Sequence, residues 1–270
     1  MVEKSVTVVT AYYPIKSKHA KSNYIRWICD FWPATTCPLV FFTEPAIAKE
    51  IENVLICDNN RSADNTRIIG IPFNELTAFK KVPESIWRTQ LDMDPERDIH
   101  TLELYALWFE KKEFVLKTIH INPFGSQYFV WCDAGICRYP QITPHLQRFP
   151  LENKIPRGQM LVLQIDRFLP QDFIAGPDGI YGEFTHRASV GVGILASDAS
   201  GWKRWNDAYD AMINRYYNAE RFIGKDQNIM GSMILSDPTL AIPIYSPTGV
   251  PSSILRWFYL LFFLSGVFPC

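Results

Sequence analysis

The sequence predicts an α/β protein: a single Rossmann-like domain over 1–270, with a mostly parallel central sheet flanked by helices. Three observations predict it. Short runs of apolar, often β-branched residues alternate with segments whose apolar residues recur at helical spacing. Several of those runs are apolar at every position, the pattern of strands covered on both faces. The chain shows no internal repeat, low-complexity tract or linker-like run that would divide it.

The elements follow in order. SVTVVTAYY (Ser5 to Tyr13) is a buried strand that breaks at Pro14 into the polar, basic loop KSKHAKS. YIRWICDFW carries Tyr24, Trp27, Ile28 and Phe31 on one helical face. PLVFFTE ends a second strand at Glu44, a short helix spans Ala46 to Glu52, and VLICD is read as a third strand. This strand–helix–strand–helix–strand order argues for parallel pairing. Residues Asn59 to Ile99, broken by Pro72, Pro83 and Pro95, are read as a long excursion with short helices. Thr101 to Ile119 is a strong helix, and QYFVWCDAG is a buried strand that stops at Asp133. ASVGVGILAS (Ala188 to Ser197) is a glycine-punctuated strand leading into a helix bearing Trp202, Trp205, Tyr209, Met212 and Tyr216. GKDQNIMGSMIL opens a further apolar helix.

Composition narrows the function classes. With 27 basic against 28 acidic residues and 14% aromatics among 270, the chain is neither disordered nor a basic nucleic-acid binder. Six cysteines without a C-x-x-C pair and five histidines without H-E-x-x-H argue against a zinc site. The cysteines read as small buried residues of a reducing compartment, and the N-terminus lacks the order of a signal peptide, so a cytoplasmic location is expected. The uncharged stretch Trp257 to Phe268 falls short of the ~20 apolar residues a spanning helix needs. The reading is an apolar C-terminal helix over 254–270 that packs on the core, with a peripheral membrane contact as its alternative.

Three places carry candidate chemistry. In VWCDAGICR, Asp133 stands at the carboxyl end of an apolar strand, where open α/β sheets bind ligands. Ala134 and Gly135 leave room for close approach, and Arg138 has the reach to meet a phosphate. One carboxylate beside a diphosphate suits Mn²⁺ or Mg²⁺. In GKDQN, Asp226 begins a helix, where an acid also complements the helix dipole, and Gln227 follows it. Asp226 is placed to accept a hydroxyl proton while the amide fixes an oxygen. In TAYYPIKSKH, Tyr12 and Tyr13 at a strand end suit stacking on a base, ahead of loop lysines that suit phosphates. No G-x-x-x-x-G-K-[ST], G-x-G-x-x-G or G-x-S-x-G is present, which disfavours P-loop, dinucleotide and hydrolase-elbow readings.

The order of these signals resembles glycosyltransferases of the A-type fold. More narrowly it is similar to the bacterial HtrL/YibB/WlaTC family of surface-polysaccharide glycosyltransferases. The residues that carry this are TAYY (Thr10 to Tyr13), SKH (Ser17 to His19), PLVFFTE (Pro38 to Glu44), ELYALWFEKKEFV (Glu103 to Val115), NPFGSQYFVWCDAGICR (Asn122 to Arg138) and GKDQN (Gly224 to Asn228).

The resemblance implies that Asp133 is the first acid of a D-x-D metal motif. It also implies that Thr10, Ala11, Tyr12 and Tyr13 hold the donor nucleotide, and that Asp226 is the catalytic or acceptor-binding acid. The glycine strand with Gly191 and Gly193, the helix with Trp202, and the stretch with Gln227 would build the acceptor side. The second acid of the motif is replaced here, since Asp133 is followed by Ala134 and Gly135. A metal would then need Glu183 or His186 as a further ligand, or more waters, or Arg138 or Lys18 would replace it. Glu183 is also the second candidate for the base, and His186 falls on the acceptor side. A basic residue of the long helix, Lys111 or Lys117, would face the donor, although spacing alone favours a solvated charged face there.

The expected function is sugar transfer from a nucleoside-diphosphate sugar to a glycan or other hydroxyl acceptor. Two alternatives remain open at this stage. One is a nucleotidyltransferase. The other is a non-catalytic nucleotide-sugar or glycan-binding protein using Trp202 and Trp205 as exposed aromatics.

Overall fold

The computed structural model describes residues 5–58, 61–138, 140–250 and 253–268. Its seven strands are β1 (Val6–Tyr12), β2 (Leu39–Thr43), β3 (Thr66–Gly70), β4 (Tyr128–Cys132), β5 (Met160–Gln164), β6 (Val190–Asp198) and β7 (Ala241–Tyr245). They form one sheet in the order β3-β2-β1-β4-β6-β5-β7. Pairing is parallel except where β6 meets β4 and β5, so β6 alone runs against the rest. The result is a mostly parallel mixed sheet flanked by helices, compatible with a Rossmann-like arrangement.

Side chains of successive strand residues go to opposite faces, and two apolar clusters follow. One face holds Val9, Val40, Phe42, Phe129, Trp131, Val162 and Val192. Against it lie α3 (Thr77–Lys81), α4 (Glu84–Met93), α5 (Leu102–Ile121), α6 (Ala199–Asn218) and α7 (Asp226–Ser236). The other face holds Val8, Phe41, Val130, Leu161 and Ile194. It is covered by α1 (Lys21–Phe31), α2 (Ala48–Glu52) and the C-terminal helices α8 (Ser253–Trp257) and α9 (Tyr259–Ser265).

The long helix α5 begins at Thr101, whose side chain accepts from the amide of Leu104 at 3.4 Å, a local N-cap. It is enclosed by the sheet and by its neighbouring helices. Glu110, Lys111, Lys112 and Glu113 are therefore all buried, instead of forming a solvated face. Burial of four charges is tolerable only if each finds a partner. Glu110 accepts from the amide of Ala78 (2.7 Å) and pairs with Lys117 (2.8 Å). Lys112 meets Glu113 and Asp210 at 2.5 and 2.8 Å and lies over the Phe109 ring. Glu113 also pairs with Lys81 at 2.7 Å. Lys111 reaches toward the sheet edge, where the candidate site lies.

Four readings of the sequence need correction. VLICD is not a strand: Asn53–Cys57 continues α2 as a wider helical turn, and burial of Ile51 and Leu55 marks a four-residue period. The third strand is instead TRIIG, an edge strand in which exposed Arg67 and Gly70 leave only two adjacent isoleucines as an apolar run. MLVLQ and AIPIY also pair as strands, and AIPIY carries Pro243, which the far edge of the sheet tolerates. The C-terminal segment is two short helices broken at Phe258, the second ending at left-handed Gly266. Leu260, Leu261 and Leu264 are buried, Trp257 is exposed, and residues 269–270 lie outside the described ones. No helix among the described residues is long and apolar enough to cross a membrane.

Trp202 and Trp205, expected as exposed aromatics, are fully buried beneath the sheet, and the Trp202 indole donates to the carbonyl of Phe129 at 2.8 Å. Their three-residue spacing turns both onto the core-facing stripe of α6. Trp202→Ala is expected to cost about 3–5 kcal/mol of stability, read by urea unfolding. A loss below about 1 kcal/mol would place the side chain outside the core.

Candidate functional site

The strand order reverses direction between β1 and β4. From β1 the chain winds outward to β2 and β3, and β4 returns to β1's other side. Ligands of open α/β sheets bind outside the carboxyl ends of the strands at such a point. A cleft of about 300 Å³ opens there. It is lined by the β1 end (Ala11, Tyr12, Tyr13), the β4 end (Asp133, Ala134, Gly135), α1, α5 and Phe258 from the tail.

Its charged floor is built around Lys111. The ammonium Nζ lies 3.3 Å from Asp133 Oδ1, 3.0 Å from Asp226 Oδ2, and donates to the carbonyl of Val192 at 3.3 Å. The Lys111 and Asp226 side chains are 6% and 2% exposed, that of Asp133 40%. Burial alone would lower the Lys111 pKa, but the two carboxylates outweigh it and raise it, so the ammonium stays charged. For Asp226 burial is the largest influence and pushes the carboxyl up, with Lys111 opposing. Asp133 is fixed from two more directions. Its Oδ1 accepts from the Trp131 indole at 2.8 Å, and its amide donates to the carbonyl of Gly193 at 2.8 Å. Gly193 allows this close approach without moving its neighbour, since a Cβ there would come within 2.7 Å of the end of the Ile136 side chain.

The aromatic side comes from the β1 end and α1. Tyr12 lies tilted against Tyr24 at 5.4 Å, Tyr24 lies 5.3 Å from Trp27, and His19 meets Trp27 edge-on at 5.1 Å. Burial raises the Tyr12 hydroxyl to about 12, so it remains a neutral donor. Tyr13 turns to the opposite face and donates to the carbonyl of Ile71 at 3.1 Å. Gly135 makes room for these rings, since a Cβ there would sit 3.0 Å from Trp27 and 3.2 Å from Tyr24. Arg138 stacks over Trp27 and Phe258 (4.6 and 5.5 Å) and approaches His19 Nε2 at 3.2 Å. Burial first, and then Arg138, lower the His19 pKa, so the ring is neutral near pH 7.

Of the residues singled out from sequence, Ala11, Tyr12, Tyr13, Lys111, Asp133, Ala134, Gly135 and Arg138 meet at this cleft. Others do not. Asp226 is buried, pairs with Lys111 and does not line the cleft, which places it as a partner of the lysine. Thr10 is fully buried within the sheet, and Lys18 is exposed away from the lining. Trp202 belongs to the core. Gln227 donates to the carbonyl of Val190 at 3.0 Å, and Gly191 packs against Leu163.

Glu183 and His186 sit on the excursion between β5 and β6, whose side chains line a different, polar cleft. There Glu183 accepts from the Thr185 hydroxyl and lies 3.9 Å from Arg221. Residues the sequence did not mark are Tyr24, read only as one face of a helix, Trp108, within the long helix, and Phe258, read as core. Helical spacing identified the apolar faces but gave no sign that their ends reach a cleft.

A divalent ion fits this donor set poorly. Among the described residues Asp133 is the single carboxylate lining the cleft, and one of its oxygens already faces an ammonium and an indole N–H. Asp226, 2% exposed, does not line the cleft, and neither do Glu183 and His186. Among the described residues no three His, Cys, Asp or Glu side chains converge. No step below runs through a metal.

Comparison with known proteins adds no family: no protein-family model matches the chain, and no curated protein matches it.

Proposed function

We propose that this chain is a glycosyltransferase of the A-type fold, moving a sugar from a nucleoside-diphosphate sugar to a hydroxyl of a glycan or other acceptor. The observation that supports it most is the composition of the switch-point cleft. It combines an aromatic wall and the neutral His19 ring with Lys21, Lys111 and Arg138 as cations, and one carboxylate among its described lining. Each part answers to one part of the substrate. The Tyr12 and Tyr24 rings offer a stacking face for a base. Arg138, a fork of charge-assisted donors, suits the diphosphate. Asp133 suits a hydroxyl that must lose a proton.

The transfer then balances as follows. The bond between the sugar's anomeric carbon and the phosphate oxygen breaks, with its electron pair left on the diphosphate. The acceptor oxygen forms a bond to the same carbon, and its proton passes to Asp133. Negative charge grows on the leaving group beside the basic residues, where preorganised charge is most effective.

The test is release of nucleoside diphosphate from a panel of UDP-, GDP- and dTDP-sugars. One donor is expected to be turned over. Arg138→Ala is expected to raise its KM at least tenfold, about the 1.5–3 kcal/mol of a charged hydrogen bond, with nucleoside affinity unchanged. Binding without release, whatever the acceptor, would identify a non-catalytic binding protein. Neither binding nor release would overturn the reading.

A further inference from the structure

We infer that this cleft carries its own cation: the Lys111 ammonium stands where a divalent metal would otherwise bridge two carboxylates, and donor binding needs no metal. This rests on the reading above and goes beyond it, because it names the group that answers the diphosphate's charge.

Three observations carry it. First, Asp133 and Asp226 come from distant parts of the chain, at the end of β4 and the start of α7. Each places an oxygen within 3.3 Å of one atom, Lys111 Nζ. Two carboxylates around one centre is how proteins bind hard cations through oxygen, and here a lysine fills the centre. Second, the lysine is a built part of the interior. It rises from the middle of α5, is 6% exposed, and its ammonium is further held by the carbonyl of Val192. An ammonium so enclosed has given up most of its water, and the cluster keeps it ionised. Third, the lysine lines the cleft while Asp226 does not. Its three N–H groups are already taken by Asp133, Asp226 and the Val192 carbonyl, so it meets a ligand in the cleft through its charge and not through a free donor.

A metal placed on Asp133 would have to sit beside this ammonium, whose repulsion opposes it in a partly buried site. A diphosphate meets the opposite situation. Lys111 is a point charge, fixed before the ligand arrives, and so costs no reorganisation when charge develops. Asp226 in this account is a positioning residue, holding the ammonium in place.

The experiment uses the full chain stripped with EDTA, with inorganic pyrophosphate and MnCl₂ as separate probes in titration calorimetry. Pyrophosphate is expected to bind equally well in EDTA and in Mn²⁺, and MnCl₂ alone to give no saturable binding. Lys111→Met is expected to weaken pyrophosphate tenfold or more, of the order of one lost charged contact. The same substitution should create a Mn²⁺ site, because the two carboxylates lose the cation they shared. If Lys111→Met alone does not fold, Lys111→Met with Asp226→Asn keeps the pyrophosphate test and abolishes the Mn²⁺ gain.

Wild-type Mn²⁺ binding, with pyrophosphate bound only in its presence, would overturn the inference. Donor release that requires Mn²⁺ would do the same while leaving the glycosyltransferase reading intact. Pyrophosphate bound under neither condition would overturn the inference as well, and if no donor of the panel is bound or released, that reading falls with it.

Discussion

Asp133→Asn is expected to lower turnover of the donor by about 10²–10⁴-fold, the range that one positioned proton acceptor contributes. The substitution keeps shape and keeps an oxygen to accept from the Trp131 indole, whose bond is 2.8 Å in the native site. It removes the one carboxylate among the described residues lining the cleft. The acids nearest the cleft are otherwise engaged: Asp226 is buried against Lys111, Glu50 pairs with Lys21 at 3.0 Å, and Glu183 lines another cleft. Steady-state release of nucleoside diphosphate in the presence of acceptor would give kcat and KM separately. A fall in kcat with KM held within a few-fold fits loss of an interaction made in the transition state. A kcat within tenfold of wild type would remove Asp133 from proton transfer and leave it an orienting role.

Much of the fold was legible because the central strands carry their own signal. β1, β2 and β4 are buried at nearly every position, and continuous apolar runs such as VTVV, LVFF and YFVW are what such burial requires. β3 and β7 were illegible for the converse reason. As edges they are only partly covered, with one fully buried residue each, and Arg67 and Pro243 interrupt any apolar run. VLICD misled because a buried i, i+4 pair on a helix and a short apolar strand have the same composition.

The candidate site divides in the same way. Asp133 and its glycine neighbours announce themselves as a polar stop to an apolar strand. Lys111 does not. Within FEKKEF it reads as one of four ordinary surface charges, and only the enclosure of α5 on all sides makes it a buried cation. Nothing local distinguishes Asp226 as its partner either. An acid at a helix start is explained by the helix alone, and its second role arises from the meeting of α5, α7 and β4.

That meeting has a price in stability, which gives the second large effect. Lys111→Met is expected to destabilise the protein by about 3–5 kcal/mol, the cost of stripping a buried charge of its partner. Asp226, 2% exposed, would lose the cation that opposes the effect of its burial. The sign with pH follows from linkage. Burial already raises the Asp226 carboxyl above its ordinary value with Lys111 present, and without the lysine it rises further. A group whose folded pKa is raised contributes its stability below the unfolded pKa of about 4 and loses it as pH climbs through the folded value. The Lys111→Met protein should therefore lie nearest to wild type in mild acid and fall away progressively toward neutral and alkaline pH. Adding Asp226→Asn removes the titrating group, so the double variant should regain part of the loss at pH 8 and show a flatter profile. Urea unfolding of the four proteins of this cycle between pH 4 and pH 8 measures both quantities. Equal losses at every pH, or no recovery in the double variant, would show that Lys111 and Asp226 are not energetically coupled. The two carboxylates would then be neighbours of the lysine without holding it.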